Sequence, residues 1–124
     1  MVDKYPKVTK YVDNLLEVFK FWRDSYTLKK ENKVVLGYWK LRALGAPVRY
    51  LLQYCGVKYE NEWYEQGPEP EYSRDAWFSQ KEKLGISIPN LPYLCDGNFS
   101  ISETLPIHVY IAEIWCPALL GRTP

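Results

Sequence analysis

The sequence is poor in the residues that carry redox, metal and acid–base chemistry. Its 124 residues include only three cysteines, one histidine and one methionine. Cys55, Cys95 and Cys116 are an odd number at wide spacing, so they form no disulfide framework, and no CxxC or Cys/His metal spacing occurs. Each lies in an apolar stretch, where a cysteine is expected to be a small buried hydrophobe. His108 has no partner to make it a base and reads as a packed or surface helix residue. An excess of charge is also missing: the net charge is +1, and cations alternate with acids. No basic patch gathers phosphates, which excludes nucleic acid as a partner. No apolar run approaches bilayer length, so no membrane insertion is expected. The first residues, Met1-Val2-Asp3-Lys4-Tyr5-Pro6, lack the apolar core of a secretory signal. They also lack the Arg/Ser-rich, acid-poor character of a mitochondrial presequence, and the expected localisation is therefore cytoplasmic.

What is present is a hydrophobic fraction of 47%, 16% aromatic residues and five tryptophans, in a length that suits one domain. Residues 6–28 predict an amphipathic helix, with Val8, Val12, Leu15, Phe19 and Trp22 at steps of three and four. The run Lys29-Lys30-Glu31-Asn32-Lys33 reads as a linker. Val34-Val35-Leu36-Gly37-Tyr38-Trp39 predicts a short strand. A helix follows from about Pro47, turning Val48, Leu51, Leu52 and Cys55 inward, with Gly56 at its C-terminal cap. Residues 58–64 alternate as a second strand, and 65–71, rich in proline and glycine, form a surface loop. Residues 75–84 predict a short helix closed by Gly85. Leu91-Pro92-Tyr93-Leu94-Cys95, a turn at Asp96-Gly97 and Phe99-Ser100-Ile101 predict a hairpin. A last helix runs over 103–115, with Leu105, Val109, Ile111, Ala112 and Trp115 apolar. The fold class is α/β, a β-α-β-α-β-β-α sandwich preceded by an N-terminal amphipathic helix.

Several of these segments resemble a known family. Val35-Leu36-Gly37-Tyr38-Trp39, then Leu44 and Arg49 with Leu51-Leu52, then Lys83-Leu84-Gly85, Pro89-Asn90-Leu91-Pro92-Tyr93-Leu94 and Asp96-Gly97 are similar to the thioredoxin-like N-terminal domain of glutathione S-transferases, the mu class above all. The match covers roughly residues 34–122, and the run from Pro89 to Tyr93 is its most specific part.

The resemblance implies glutathione as co-substrate, with no metal, and a role for each matching residue. Tyr38 corresponds to the catalytic tyrosine, whose phenol donates a hydrogen bond to the glutathione sulfur. A bond to a charged acceptor contributes about 1.5–3 kcal/mol, or roughly one to two pKa units. That is enough to bring a thiol of pKa about 8.5 towards ionisation at neutral pH. Leu91-Pro92 matches the position of a cis-proline, where Leu91 backbone groups pair with the cysteinyl part of the tripeptide as an added strand does. Trp39, Arg74, Trp77, Lys81 and Asn90 fall on positions around the glycyl carboxylate and peptide backbone, and Leu44 and Pro92 are also among the implied glutathione-binding residues. Glu103 and Thr104 fall where the mu class has Gln-Ser. The Thr104 hydroxyl and the helix amides suit the γ-glutamyl carboxylate, and Glu103 suits the ammonium group. Ala43 departs from the pattern, replacing a glycine common in the loop after the tyrosine. Pro106 sits in a first helical turn, where proline is tolerated.

The implied domains are a helix and linker over 1–32, a glutathione-binding domain over 33–118 and a linker stub over 119–124. Family members continue into a helical domain that supplies the electrophile pocket. The expectation is therefore a transferase whose site is completed by another protein chain, covering the face that the helical domain packs on. The alternative is a non-catalytic scaffold subunit of a larger complex, with an organellar complex as the other localisation. A thioredoxin-type oxidoreductase is disfavoured because no cysteine ends the first strand.

Overall fold

The structure is a computed structural model and describes residues 32–121, together with Glu17 and Lys20, which are helical. Apart from those two residues, the expected 6–28 helix lies outside the described residues. The chain divides into two compact units, Met1–Glu31 and Asn32–Pro124, and the second holds the fold described below.

Strand β1 (Val34–Trp39) is followed by helix α1 (Gly45–Tyr54) and strand β2 (Tyr59–Tyr64). A four-residue helix α2 (Asp75–Phe78) and a 3-10 turn (Lys81–Leu84) lead to strands β3 (Tyr93–Asp96) and β4 (Phe99–Ser102). Helix α3 (Thr104–Trp115) and a second 3-10 turn (Pro117–Leu120) close the described chain. The sheet order is β2-β1-β3-β4; β1 and β2 run parallel, and β3 runs antiparallel to both β1 and β4. This is the expected thioredoxin-like order, a mixed four-stranded sheet with helices on both faces.

Strand periodicity assigns the faces. Val34, Leu36 and Leu94 point to the side of α1 and α3, where they join Val48, Leu52, Ile107, Tyr110 and Ile111 in one core cluster. Leu52 is fully buried there, so Leu52→Ala would cost about 2–5 kcal/mol. On the opposite face Tyr64, Trp77 and Tyr93 form a second, aromatic cluster flanked by Trp39, Leu84, Ile86 and Leu91. On the outer strand β2, Glu60 pairs with Lys33 at 2.7 Å, and Glu60 and Glu62 face solvent.

The elements depart from the sequence expectation at their ends. Helix α1 starts at Gly45 rather than Pro47, because a proline in the first turn gives up an N–H that has no intrahelical partner anyway. The single helix expected over 75–84 is two short pieces separated at Ser79-Gln80. Only Trp77 is buried in it, and one anchor does not hold ten residues in a continuous helix. Gly85 does close it, at φ 66°. β3 starts at Tyr93 rather than Leu91, since Pro92 offers no ladder N–H; the Leu91–Pro92 bond is cis. The hairpin turn is Gly97-Asn98, not Asp96-Gly97, because Asp96 pairs with Phe99. Asp96 is buried and accepts a hydrogen bond from Tyr110 Oη at 2.8 Å. On α3, Leu105 is 73% exposed rather than inward. The cysteines are only half-buried rather than core residues.

Candidate functional site

The loop that leaves β1 is shaped by Arg49 on α1. Its Nε donates to Asn61 Oδ1 at 3.2 Å and its Nη1 to the Leu41 carbonyl at 3.2 Å, while its guanidinium lies 4.3 Å from the Trp63 ring centroid. This ties the 40–44 loop to α1 and β2 together. Within the loop Ala43 has φ 26°, the side of the backbone map where glycine is at ease and alanine is not. Tyr38, the penultimate residue of β1, packs its ring on the first residue of α1. A Cβ at Gly45 would lie 2.5 Å from Tyr38 Cδ1, so only glycine lets the helix approach the tyrosine this closely.

Beside that strand end lies a cleft of about 200 Å³, lined by Tyr38, Trp39, Arg74, Trp77, Phe78, Lys81, Pro89, Asn90 and Leu91. It joins the end of β1, both pieces of the broken helix and the segment before β3. Lys81 lines it from the second piece, where Nζ lies 5.5 Å from the Phe78 ring centroid and 3.7 Å from Glu82 Oε1. Trp77 is held from behind: Tyr64 meets it edge-on at 5.2 Å and Tyr93 stacks on it at 6.0 Å. The Tyr64 and Tyr93 hydroxyls are 3.0 Å apart. Burial, the largest cause for both, raises the two phenols above their ordinary range, so they stay neutral and serve as a fixed wall rather than as acids.

At the far edge Asn90 acts as a bridge. Its Nδ2 donates to Glu103 Oε1 at 2.6 Å, and its Oδ1 accepts the Leu91 N–H at 2.9 Å. Glu103 immediately precedes α3 with φ 75° and ψ 136°, a backbone region costly for any residue but glycine. The bridge places the N-terminus of α3, beginning at Thr104, beside the cleft. The Thr104 and Leu105 amides there are free of intrahelical acceptors by construction, and the dipole favours an anion. The cleft thus offers cations at Arg74 and Lys81, and Asn90 ties its edge to a carboxylate that precedes a helix N-terminus. That arrangement suits a zwitterionic peptide with carboxylates at both ends.

Of the residues expected here, Tyr38, Trp39, Arg74, Trp77, Lys81, Asn90 and Leu91 line the cleft. Glu103 reaches it through Asn90, Thr104 follows at the helix start, and the buried Pro92 underlies it with its carbonyl accepting the Glu103 N–H at 3.2 Å. Leu44 does not join them: it is 54% exposed and absent from the lining, because the loop clamped by Arg49 carries it outward. The Leu91 N–H is already taken by Asn90, so a ligand pairing with Leu91 has to displace that amide. Phe78 and Pro89 line the cleft without having been named as site residues; Pro89 opens the run that carried the resemblance, and Phe78 adjoins Trp77 in an aromatic pair. His108 Nδ1 lies 2.7 Å from the Thr104 carbonyl of its own helix. Among the described residues no group of three or more His, Cys, Asp or Glu could hold a metal ion, and no helix is long and apolar enough to cross a membrane.

Known proteins match the same stretch. Residues 34–113 match the family glutathione S-transferase, N-terminal domain. Glutathione S-transferase Mu 4 of Mus musculus is 47% identical over 80 residues, which are 64% of this chain and 37% of the mouse protein. A glutathione S-transferase of Tyrophagus putrescentiae is 48% identical over 82 residues, 66% of this chain and 37% of that protein. The crystal structure of the glutathione S-transferase Blo t 8 superposes with a TM-score of 0.53 at 38% identity, covering 59% of this chain and 32% of the other. The chain therefore spans a little over a third of the length of the curated relatives it matches. Fold and matched sequence agree: this chain belongs to the glutathione S-transferase family through its N-terminal domain.

Proposed function

We propose that this chain binds glutathione in the cleft beside β1 and holds its thiol as a thiolate for conjugation to an electrophile. The observation that carries the reading is the meeting of Tyr38, Arg74 and Lys81 around one cleft, with Asn90 at its edge bonded to the Glu103 that precedes α3. In this reading Arg74, Lys81 and the indole edges of Trp39 and Trp77 take the glycyl carboxylate. Leu91 takes the cysteinyl backbone once Asn90 gives way, and Glu103 with Thr104 takes the γ-glutamyl end. The Tyr38 hydroxyl donates to the sulfur, stabilising charge where it forms. Turnover also needs an electrophile pocket, and we place that pocket on a partner chain that covers the domain. Leu105 and Ile88, 73% and 74% exposed, and Leu119 and Leu120 on the second 3-10 turn are apolar surface suited to such a partner. A cytoplasmic placement belongs to the same proposal.

The test is calorimetric titration with glutathione, then turnover of a chromogenic electrophile, for the wild-type chain and Tyr38→Phe. Tyr38→Phe should keep affinity within a few-fold, because most contacts go to carboxylates and backbone. It should lower the conjugation rate about tenfold or more. An unchanged rate at neutral pH rejects Tyr38 as the activating group, and absence of binding in the wild-type chain rejects the whole reading. Binding without turnover, alone or with a partner chain, favours the scaffold role.

A further inference from the structure

Among the described residues a second pair of reactive side chains meets at the other end of the fold. Helices α1 and α3 both start near the cleft, α1 against Tyr38 and α3 beside Asn90. They pack together through Val48, Leu52, Ile107 and Ile111, so their C-terminal ends come together at the opposite end of the sheet. Cys55 caps α1 and Cys116 caps α3. The backbone N–H of each is fixed, to the Leu51 and Ala112 carbonyls, both at 2.9 Å. The two thiols are free and half-buried, on helix ends that lie at the same end of the fold, and the Cys116 side chain bears on the Cys55 thiol. Beside Cys55, Gly56 faces open space, since a Cβ there would meet nothing within 4 Å. Cys95 is engaged separately, accepting from Ser100 Oγ at 3.3 Å.

We propose that Cys55 and Cys116 form a reversible disulfide that staples the end of α1 to the end of α3, with a small-molecule disulfide such as glutathione disulfide as the oxidant. The Cys116 thiolate attacks one sulfur of the oxidant. The oxidant's S–S bond breaks, one small thiolate leaves, and a mixed disulfide stands on Cys116. The Cys55 thiolate then attacks the Cys116 sulfur and the second small thiolate leaves. Two protein thiols have lost two electrons, the small disulfide has gained them, and the two thiol protons pass to the departing thiolates. Burial, followed by the bond to Cys116 and its charge, pushes the Cys55 thiol up to about 12. Cys55 is thus slow to ionise in solution and suits the second step, where its target is already in contact. Because the helix caps bring both cysteines to the same end of the fold, closure asks for local adjustment of two helix ends, not a refolding. The proposal uses no residue of the cleft and stands apart from glutathione binding there.

The test equilibrates the full chain with glutathione and glutathione disulfide at stepped ratios, followed by acid quench and peptide mapping without reduction. The expected product is a Cys55–Cys116 cross-linked peptide that rises with the disulfide fraction and disappears on adding a dithiol, while Cys95 stays open to alkylation. Closing a loop of about 60 residues should raise Tm by about 10 °C or more. Cys55→Ser should halt the reaction as a glutathione adduct on Cys116. If that variant fails to fold, the wild-type peptide map decides alone. Full alkylation of both cysteines at every ratio overturns the proposal. So does a persistent glutathione adduct with no cross-link in the wild-type chain, or pairing that involves Cys95 or joins two copies.

Discussion

Gly37→Ala is the perturbation whose cost can be worked most directly. Gly37 lies mid-strand in β1, opposite Tyr93. A Cβ there would sit 2.1 Å from Tyr93 Cε1 and 2.2 Å from Cζ, whereas carbon atoms settle at about 3.5–4.0 Å. The ring has to move by more than about 1 Å. It has nowhere to go: Tyr93 is 2% exposed, stacked on Trp77 and bonded to Tyr64. Overpacking costs about 1–3 kcal/mol, and losing the tyrosine–tyrosine bond costs about 1 kcal/mol more. Alanine recovers about 0.5–1 kcal/mol of chain entropy relative to glycine. The net loss is about 1–3.5 kcal/mol, or a fall in Tm of roughly 4–28 °C for a domain of this size. Circular dichroism melts measure it. Tyr93→Leu in the same chain removes the clashing atoms, so the double variant should lose less than the sum of the singles by about 1 kcal/mol or more. A Gly37→Ala chain that melts at or above the wild-type temperature refutes the argument.

Ala43→Gly should stabilise by about 0.5–1 kcal/mol, because the strain of a positive φ outweighs the extra chain entropy of glycine; a lower urea midpoint counts against it. Tyr64 and Tyr93 are raised above the ordinary value of 10.0, so the unfolded chain ionises first. Their stabilisation is therefore whole below about pH 10 and drains away above it, at up to about 1.4 kcal/mol per pH unit for each tyrosine. Urea unfolding from about pH 9 to about pH 11 reads that slope, and a flat profile would contradict it. Tyr110→Phe strips Asp96 Oδ2 of its donor while the buried Oδ1 has no hydrogen-bond partner among the described residues. It should cost about 1.5–3 kcal/mol in a denaturant titration, and a neutral result would mean that water reaches the carboxylate.

Much of this architecture is legible in the chain because burial writes a period. The strand Val34–Trp39, the Val48/Leu52 stripe and the hairpin follow from two- and four-residue spacings. Element ends are less legible because they turn on single groups, such as the N–H that Pro47 and Pro92 lack. The broken helix escaped because the spacing of Trp77, Lys81 and Leu84 suits a continuous helix, and only the tertiary surroundings reveal a single anchor. At the site, Arg74 and Lys81 taken singly look like ordinary solvated charges; their motif, not their chemistry, marked them. The position of Leu44 was not legible for the converse reason, since the motif does not show that its loop, held by Arg49, leaves it exposed. The thiol pair had no sequence signature at all. Cys55 and Cys116 meet only because two helices that start side by side also end side by side.

The outer strand β2 has a consequence for how such a domain keeps to itself. An exposed sheet edge is a template on which other strands can grow into a ribbon. Along this one, Glu60 and Glu62 face solvent, and a second copy laying its own β2 there would set carboxylates against carboxylates. The repulsion guards the longer of the two outer strands against fibre-like growth. Replacing both glutamates with threonine would leave the sheet's backbone ladder intact while removing that guard, together with the Lys33–Glu60 ion pair.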